Sequence, residues 1–403
     1  MVVLVEKARK RFFLAAGKRC DKIMGMKQEI IVDEFGPQYV VEVNSLKPKF
    51  KGLLVIDNLA LGPGKGGIRM AENLTVFELF RLARTMTWKN AIFDLGFGGA
   101  KSGILIDPKK VSLKEKEAII QSFAKSLAPF VPKYYIAGPD IGTGEQEMKW
   151  FSRALGTWQV CTGKPGNFCQ TRNSKVSCGL PHELGSTGFG VAQAVKVASE
   201  FKDINLKGAS VAIAGFGNVG SFAAQFLQEL GAKIVAIADR EGTILNWKGL
   251  PVQKLSQLKK KKRLLTDYRP AQSLPLATVY RLPVDILIPA AVSDVINEKN
   301  WRQVKAKIIV EGANIPIPEN IEQKLERKGI MIVPDFVANG GGVISSYVEY
   351  HSGSVKQMFE IVGNKIKQAT SRVLTETLRT KRNPRQVALV IAKEKVKKVM
   401  SKT

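Results

Sequence analysis

Four short segments in the first half of the chain hold residue types that could do chemistry together: "GPGKGGIRM" (62–70), "MTWKNA" (86–91), "GGAKSGI" (98–104) and "AGPDIGTGE" (137–145). Three of them set a lysine (Lys65, Lys89 or Lys101) beside glycines or a tryptophan, and the fourth sets Asp140 behind a proline in a glycine-bounded turn. Lys65 and Lys101 read as residues of glycine loops, where backbone and side chain can approach a ligand. Lys89 follows Trp88 on an apolar helix. Three cations converging on one pocket suit a substrate with two carboxylates. They also depress one another's pKa, and burial adds to that shift. A lysine tuned in this way toward neutral pH can act as a base. The plainer fate is a solvated surface lysine, the commonest one in a chain with 62 Lys and Arg and a net charge of +27.

The elements that must position such groups are legible from pattern. Helices are expected over 75–91 and 114–127, with strands in "KGLLVIDN" and "GILID". In the middle of the chain, "GASVAIAGFGNVGSFAAQFLQELGAKIVAIADREG" reads as a strand (211–214), a glycine turn, a helix (219–230) and a second strand (234–238) ending at Asp239. Gly215, Gly217 and Gly220 stand in GxGxxG spacing, with Asn218 and Val219 between the last two, directly between strand and helix. Gly215 permits the tight turn, Gly217 lets backbone N–H groups approach a pyrophosphate, and Gly220 allows close helix–strand packing. The helix N-terminus presents its positive dipole end to the phosphates. A dinucleotide is therefore expected here. Asp239 favours the free ribose hydroxyls of NAD, whereas the adjacent Arg240 could pair with the 2′-phosphate of NADP. The balance leans slightly to NAD.

Further apolar runs, "VDILIPAAV", "KIIVEGAN" and "IMIVPDFVAN", each stop in a polar loop, as strands of a parallel sheet do. Ligands sit at the carboxyl ends of such strands, which puts Asn314 and Asn339 beside the cofactor, although a loop-ending asparagine is also ordinary turn chemistry. The expected fold is α/β: a substrate and oligomerisation domain over 1–185 and a Rossmann-type dinucleotide-binding domain over 186–340. C-terminal helices over 341–403 are expected to pack back across the cleft onto the first domain.

Composition bounds the rest. A chain of 403 residues has room for two or three domains, and its 45% hydrophobic content suits ordinary globular cores. No apolar run approaches the roughly 20 residues of a spanning helix. The basic start "VEKARKRFFLAAGKRCDK" reads as a short amphipathic surface helix rather than a transit peptide, because Glu6 and Asp21 interrupt it. Four cysteines form no disulfide framework, which suits a reducing cytoplasm. Cys161, Cys169 and Cys178 with His182 contain no CxxC pair, so they read as buried thiols and not as a metal site. The lysines are spread along the chain, and the one dense run, "KKKKR" (259–263), reads as a solvated helix end without an aromatic platform. That speaks against nucleic acid as partner. The charge instead predicts attraction for dicarboxylates and phosphorylated cofactors.

The segments "GPGKGGIRM", "TMTWKNA", "GGAKSG", "GPDIGT", "STGFGV", "GFGNVG", "EGANIP" and "NGGGVISSYVE" resemble, in this order, those of the glutamate/leucine/phenylalanine/valine dehydrogenase family, over roughly residues 45 to 350. The resemblance implies a substrate domain with a Rossmann domain closing over it, and usually a homohexamer. It also implies reversible oxidative deamination of an L-amino acid to a 2-oxo acid and ammonium, with hydride passed to NAD or NADP. By motif, Lys101 matches the catalytic lysine that polarises the attacking water and the carbonyl. Asp140 matches the carboxylate that shuttles protons to and from the amino group, and Lys89 matches the anchor of the α-carboxylate. Thr187 and Asn339 match positions near the nicotinamide. Lys65 and Ser346 match the pair that binds a side-chain carboxylate in the members acting on glutamate, so L-glutamate, 2-oxoglutarate and ammonium are the implied small-molecule partners. A buried ammonium facing an aliphatic side chain would stay unpaired, which disfavours leucine.

Three features depart from the family pattern. Ser102 replaces the usual second glycine after Lys101, the stretch from Lys164 to Thr187 is longer, and the helices after Glu349 continue differently. The rival readings are a dehydrogenase of another L-amino acid on the same fold and a non-catalytic binding protein.

Overall fold

The computed structural model describes residues 32–172 and 175–402. The helix expected at the start of the chain, with Cys20, lies outside them. The chain divides into two compact units, one comprising the residues up to Pro181 with Ser346–Val355 and the residues from Ala392 onward, the other His182–Ser345 with Lys356–Ile391.

The first unit is built on a six-stranded mixed sheet. Its strands are β1 (Tyr39–Leu46), β2 (Lys49–Asn58), β3 (Gly64–Lys65), β4 (Ile68–Met70), β5 (Gly98–Ile104) and β6 (Tyr135–Ile136), in the order β1-β2-β5-β3-β6, with β4 also paired to β5. Helices α1 (Val76–Ile92), α2 (Leu113–Ser126) and α3 (Glu145–Leu155) cover it. Thr75 caps α1 by accepting from the Glu78 N–H, and Ser112 with Glu115 forms a reciprocal capping box on α2, which satisfies otherwise orphaned donors. The apolar face of α2 (Ile119, Ile120, Phe123) joins Val41, Phe50, Leu54 and Ile56 in the core.

Two expectations change here. The segment "GGAKSGI" is strand β5, not a glycine loop, and every residue of it is buried. Its glycines are there for closeness: a Cβ on Gly99 would lie 2.1 Å from Thr87 Oγ1, so α1 packs directly against the strand. The long stretch before the second unit is a hairpin, β7 (Cys169–Arg172) and β8 (Lys175–Cys178), in which Cys169 stands directly opposite Cys178 and the two form a disulfide. The expectation of buried free thiols holds for Cys161 but not for this pair. Directly opposed residues of an antiparallel ribbon bring their Cβ atoms to about 5 Å, which a register can do and a nine-residue spacing cannot announce. The base of the hairpin is pinned by Glu349, whose carboxylate accepts from the Gly163 and Leu180 N–H groups (2.7 and 3.1 Å) and pairs with the fully buried Lys164 (2.7 Å).

The second unit carries a seven-stranded sheet in the order β12-β11-β10-β9-β13-β14-β15. The strands are β9 (Ser210–Ala214), β10 (Lys233–Asp239), β11 (Gly242–Leu245), β12 (Gln272–Leu274), β13 (Ile286–Pro289), β14 (Ile308–Val310) and β15 (Met331–Val333). From β10 through β15 along the sheet the pairing is parallel, with β11 and β12 as an antiparallel edge. Helices α4 (Ser186–Phe201), α5 (Asn218–Glu229), α6 (Val252–Lys260), α7 (Glu319–Arg327) and α8 (Asp335–Ala338) belong to this unit. Strand β9 is central, and the chain leaves it first to β10 on one side and later to β13 on the other. Its carboxyl end is therefore the switch point at which open α/β sheets bind nucleotides. Helices α9 (Gly341–Tyr350), α10 (Val355–Thr380) and α11 (Pro384–Met400) end the chain, and α9 and α11 each contribute residues to both units. No helix of the described residues is long and apolar enough to cross a membrane.

Candidate active site

In the first unit Lys101 projects from the middle of β5 at 7% exposure, and its Nζ lies 3.0 Å from Asp140 Oδ2. Asp140 sits in a turn held by Thr143, whose Oγ1 accepts from the Asp140 N–H (3.0 Å) and donates to the Ile68 carbonyl (2.7 Å). Gly67 makes room for that turn, since a Cβ there would stand 2.8 Å from Asp140 Cβ. A third group completes the cluster: Arg69 on β4 donates through Nε to the same Asp140 Oδ2 (2.8 Å) and pairs through Nη1 with Glu78 on α1 (2.7 Å). Burial pushes the Asp140 carboxyl up, but Lys101 and Arg69 outweigh it and hold the group below the ordinary aspartate range. For Lys101, burial dominates and lowers the ammonium pKa, with Asp140 pulling the other way.

Lys65 lies on β3, beside β5, at 3% exposure, and donates to the Ala137 carbonyl at 2.9 Å. A Cβ on Gly138 would stand 2.6 Å from its Nζ, so that glycine is what admits the ammonium. Burial, helped by the like charges of Lys101 and Lys164, brings Lys65 down to about 7. Lys89 is buried in the last turn of α1. That helix is fixed by Arg84, which binds Asp57 and Asp33, and by Thr87, which donates to Asp57 Oδ2 at 2.5 Å. Ser346 is half-buried on α9 and belongs to the same unit. The structure thus brings Lys101 and Asp140 into contact and sets Lys65 on the neighbouring strand. Arg69 was missed in the sequence, where the "GGIRM" run shows an arginine with no sign of its partner.

In the second unit the three glycines of the turn stand in different surroundings. Gly215 has φ +109°, outside the range of ordinary side chains, and a Cβ on Gly220 would fall 1.8 Å from the Gly215 carbonyl oxygen. Gly217 faces open space, with nothing within 4 Å of a Cβ, and caps α5 without any side-chain acceptor for the helix N–H groups. Uncapped donors at an open glycine fit a pyrophosphate. Asn218 opens the helix and donates to the His182 carbonyl (3.2 Å), and Val219 follows it, half-buried. Asp239 ends β10 and accepts from the Glu241 N–H (3.0 Å), and Arg240 is exposed. Asn314 and Asn339 meet at the carboxyl ends of β14 and β15, Asn339 Nδ2 donating to Asn314 Oδ1 at 3.1 Å. Thr187, in the first turn of α4, lies against the glycine pair that opens α9.

The lysine run "KKKKR" closes α6 in solvent as expected, with all five residues exposed, and Lys259 Nζ donates to the Phe216 carbonyl of the glycine turn. Burial lowers its pKa, with Asp239 opposing and Arg240 adding to the shift, so these charges share one corner. Among the described residues no group of three or more His, Cys, Asp or Glu could hold a metal ion.

The sequence matches the model of the family described as Glu/Leu/Phe/Val dehydrogenase, dimerisation domain, over residues 40–156, and that of the family described as Glutamate/Leucine/Phenylalanine/Valine dehydrogenase over residues 179–403. It is 36% identical over 360 residues to a glutamate dehydrogenase of Aeropyrum pernix, covering 85% of this chain and 84% of that one. It is 39% identical over 302 residues to an NADP-specific glutamate dehydrogenase of Saccharolobus shibatae, covering 75% and 71%. Among solved structures it is similar to the hetero-hexameric glutamate dehydrogenase of Thermus thermophilus in its Leu-bound form, with a TM-score of 0.76, 30% identity and coverage of 87% of this chain and 84% of that one.

Proposed function

The chain belongs to the glutamate/leucine/phenylalanine/valine dehydrogenase family, and from that premise we propose that it catalyses the reversible, NAD- or NADP-dependent oxidative deamination of L-glutamate to 2-oxoglutarate and ammonium. The observation that carries the substrate assignment is Lys65, an ammonium at 3% exposure on the strand beside Lys101, with only a backbone carbonyl described as its hydrogen-bond partner. A second substrate carboxylate supplies the countercharge that favours the ammonium form, whereas an aliphatic side chain offers that form no partner.

Lys65 and Ser346 bind the side-chain carboxylate and Lys89 the α-carboxylate. Lys101 polarises the attacking water and the carbonyl that forms, and Asp140 exchanges protons with the amino group. A nicotinamide cofactor held here would supply the acceptor for the hydride that leaves the α-carbon. Gly217 and the α5 N-terminus would hold the pyrophosphate, Asn314, Asn339 and Thr187 would border the nicotinamide, and Asp239 would take the adenine ribose. Arg240 and Lys259 add two cations near Asp239, so the corner suits a free ribose diol or a 2′-phosphate. We place the enzyme in the cytoplasm as a homohexamer.

Purified protein with ammonium and 2-oxoglutarate, or with the oxo acids of leucine and phenylalanine, tests this by the consumption of NADH or NADPH. Oxidation with 2-oxoglutarate alone is the expected result. Consumption with the branched or aromatic oxo acids and not with 2-oxoglutarate would overturn the substrate assignment.

A further inference from the structure

Asp140 is not held symmetrically. Both cations that reach it, Arg69 Nε at 2.8 Å and Lys101 Nζ at 3.0 Å, meet Oδ2, while no hydrogen bond is described on Oδ1. Arg69 is itself fixed from behind, because its Nη1 is bound to Glu78 near the start of α1 at 2.7 Å. The guanidinium therefore spans from helix to turn as a strut between two carboxylates. Its planar fork can do this, and a lysine, with one ammonium head, reproduces it poorly.

We propose that Arg69 is the positioning residue of this site, clamping Asp140 through Oδ2 so that Oδ1 is the one oxygen left to exchange protons with the substrate amino group. The inference rests on the reading of Asp140 as the proton-transfer group. In the oxidative direction an N–H bond of the substrate ammonium breaks, an O–H bond forms on Oδ1, and the electron pair stays on nitrogen; the reverse step returns the proton. A carboxylate with one anchored oxygen and one open oxygen presents a fixed lone pair to that proton, which a freely rotating carboxylate does not. The charged and titratable groups about Asp140 are Lys101 from β5, Arg69 from β4, Glu78 from α1 behind Arg69, and Tyr135 from β6. Loss of Arg69 removes an attraction from Asp140 and a repulsion from Lys101, so both groups titrate at higher pH in its absence.

The test compares full-length wild type with Arg69→Met, Arg69→Lys and Arg69→Ala. In Arg69→Met, kcat for glutamate oxidation is expected to fall by about 10²-fold with KM for glutamate little changed, as for a misoriented proton-transfer group. The acid limb of kcat/KM should move to higher pH, and methylguanidinium should restore part of the activity of Arg69→Ala. Arg69→Lys, which keeps the charge, should lie between and serves if the methionine variant does not fold. Carboxyl-labelled aspartate followed by ¹³C NMR needs no turnover: one resonance that titrates below the ordinary range in wild type should move up in the variant. A folded variant with wild-type kcat and an unmoved acid limb, or an unmoved aspartate resonance, would refute the clamp. A wild type inactive on glutamate but with the resonance shift intact would instead fault the functional reading.

Discussion

Two glycine-rich segments carry the candidate chemistry, and they use glycine in opposite ways. In "GGAKSG" the glycines lie in a buried strand, where the missing Cβ of Gly99 lets α1 close to within 2.1 Å of where that atom would stand. In "GFGNVG" the turn is tight at Gly215 and Gly220 but open at Gly217, where nothing lies within 4 Å. The first segment is built so that protein approaches protein, burying Lys101 and Lys65 where desolvation lowers their pKa. The second leaves a face of backbone N–H groups for a ligand. Local composition is alike in the two, and the neighbour that fills the space differs.

The sharpest test of the closed segment is chemical. Lys101→Ala and Asp140→Asn should each cut turnover by about 10²–10⁴-fold, the usual share of a proton-transfer group, with cofactor titration by nicotinamide fluorescence near normal. Wild-type rates in either variant would remove these residues from the chemistry. Next, Lys65→Leu should reduce kcat/KM for glutamate by about 10²-fold while sparing or improving leucine, because the buried charge no longer needs a carboxylate. Unchanged discrimination between the two substrates would break that assignment.

Gly99→Ala should destabilise the first unit by about 1–3 kcal/mol, since its Cβ meets the Thr87 backbone and hydroxyl, and denaturant unfolding reads this directly. Lys65, which burial brings down to about 7, also gives the closed segment a pH signature. Below that value the ammonium is already charged and binds a carboxylate freely. Above it, binding must recruit a proton, so KM for 2-oxoglutarate should rise by up to about tenfold per pH unit. A flat KM across pH 7 to 9 would contradict this. The smallest effect belongs to the open segment: Gly217→Ala should leave stability within about 0.5 kcal/mol of wild type and weaken cofactor binding only several-fold, as calorimetric titration would show.

Much of this was legible in the chain because it is local. The βαβ unit and the turn at Asp140 each depend on residues a few positions apart, and pattern alone places them. The strand character of "GGAKSG" was not legible, because its glycine content argues for a loop until α1 and β2 are seen to pack on both sides of it. The lysine run 259–263 is the solvated helix end its composition announces, but the reach of Lys259 to the Phe216 carbonyl 43 residues away was not legible in it.

By itself the sequence determined which groups are available: the lysines at 65, 89 and 101, the aspartate at 140, the glycines of the dinucleotide turn, and an order of motifs that names a family. Only the tertiary structure decided what those groups face. Arg69 finds Asp140 across 71 residues, Glu349 pins a hairpin base 185 residues away, and Cys169 meets Cys178 through a strand register. The reason is physical: spacing along a helix or strand sets direction only over a turn or two. Desolvation and ion pairing, which set the charge state of Lys65 and Asp140, come from whatever the rest of the fold brings alongside.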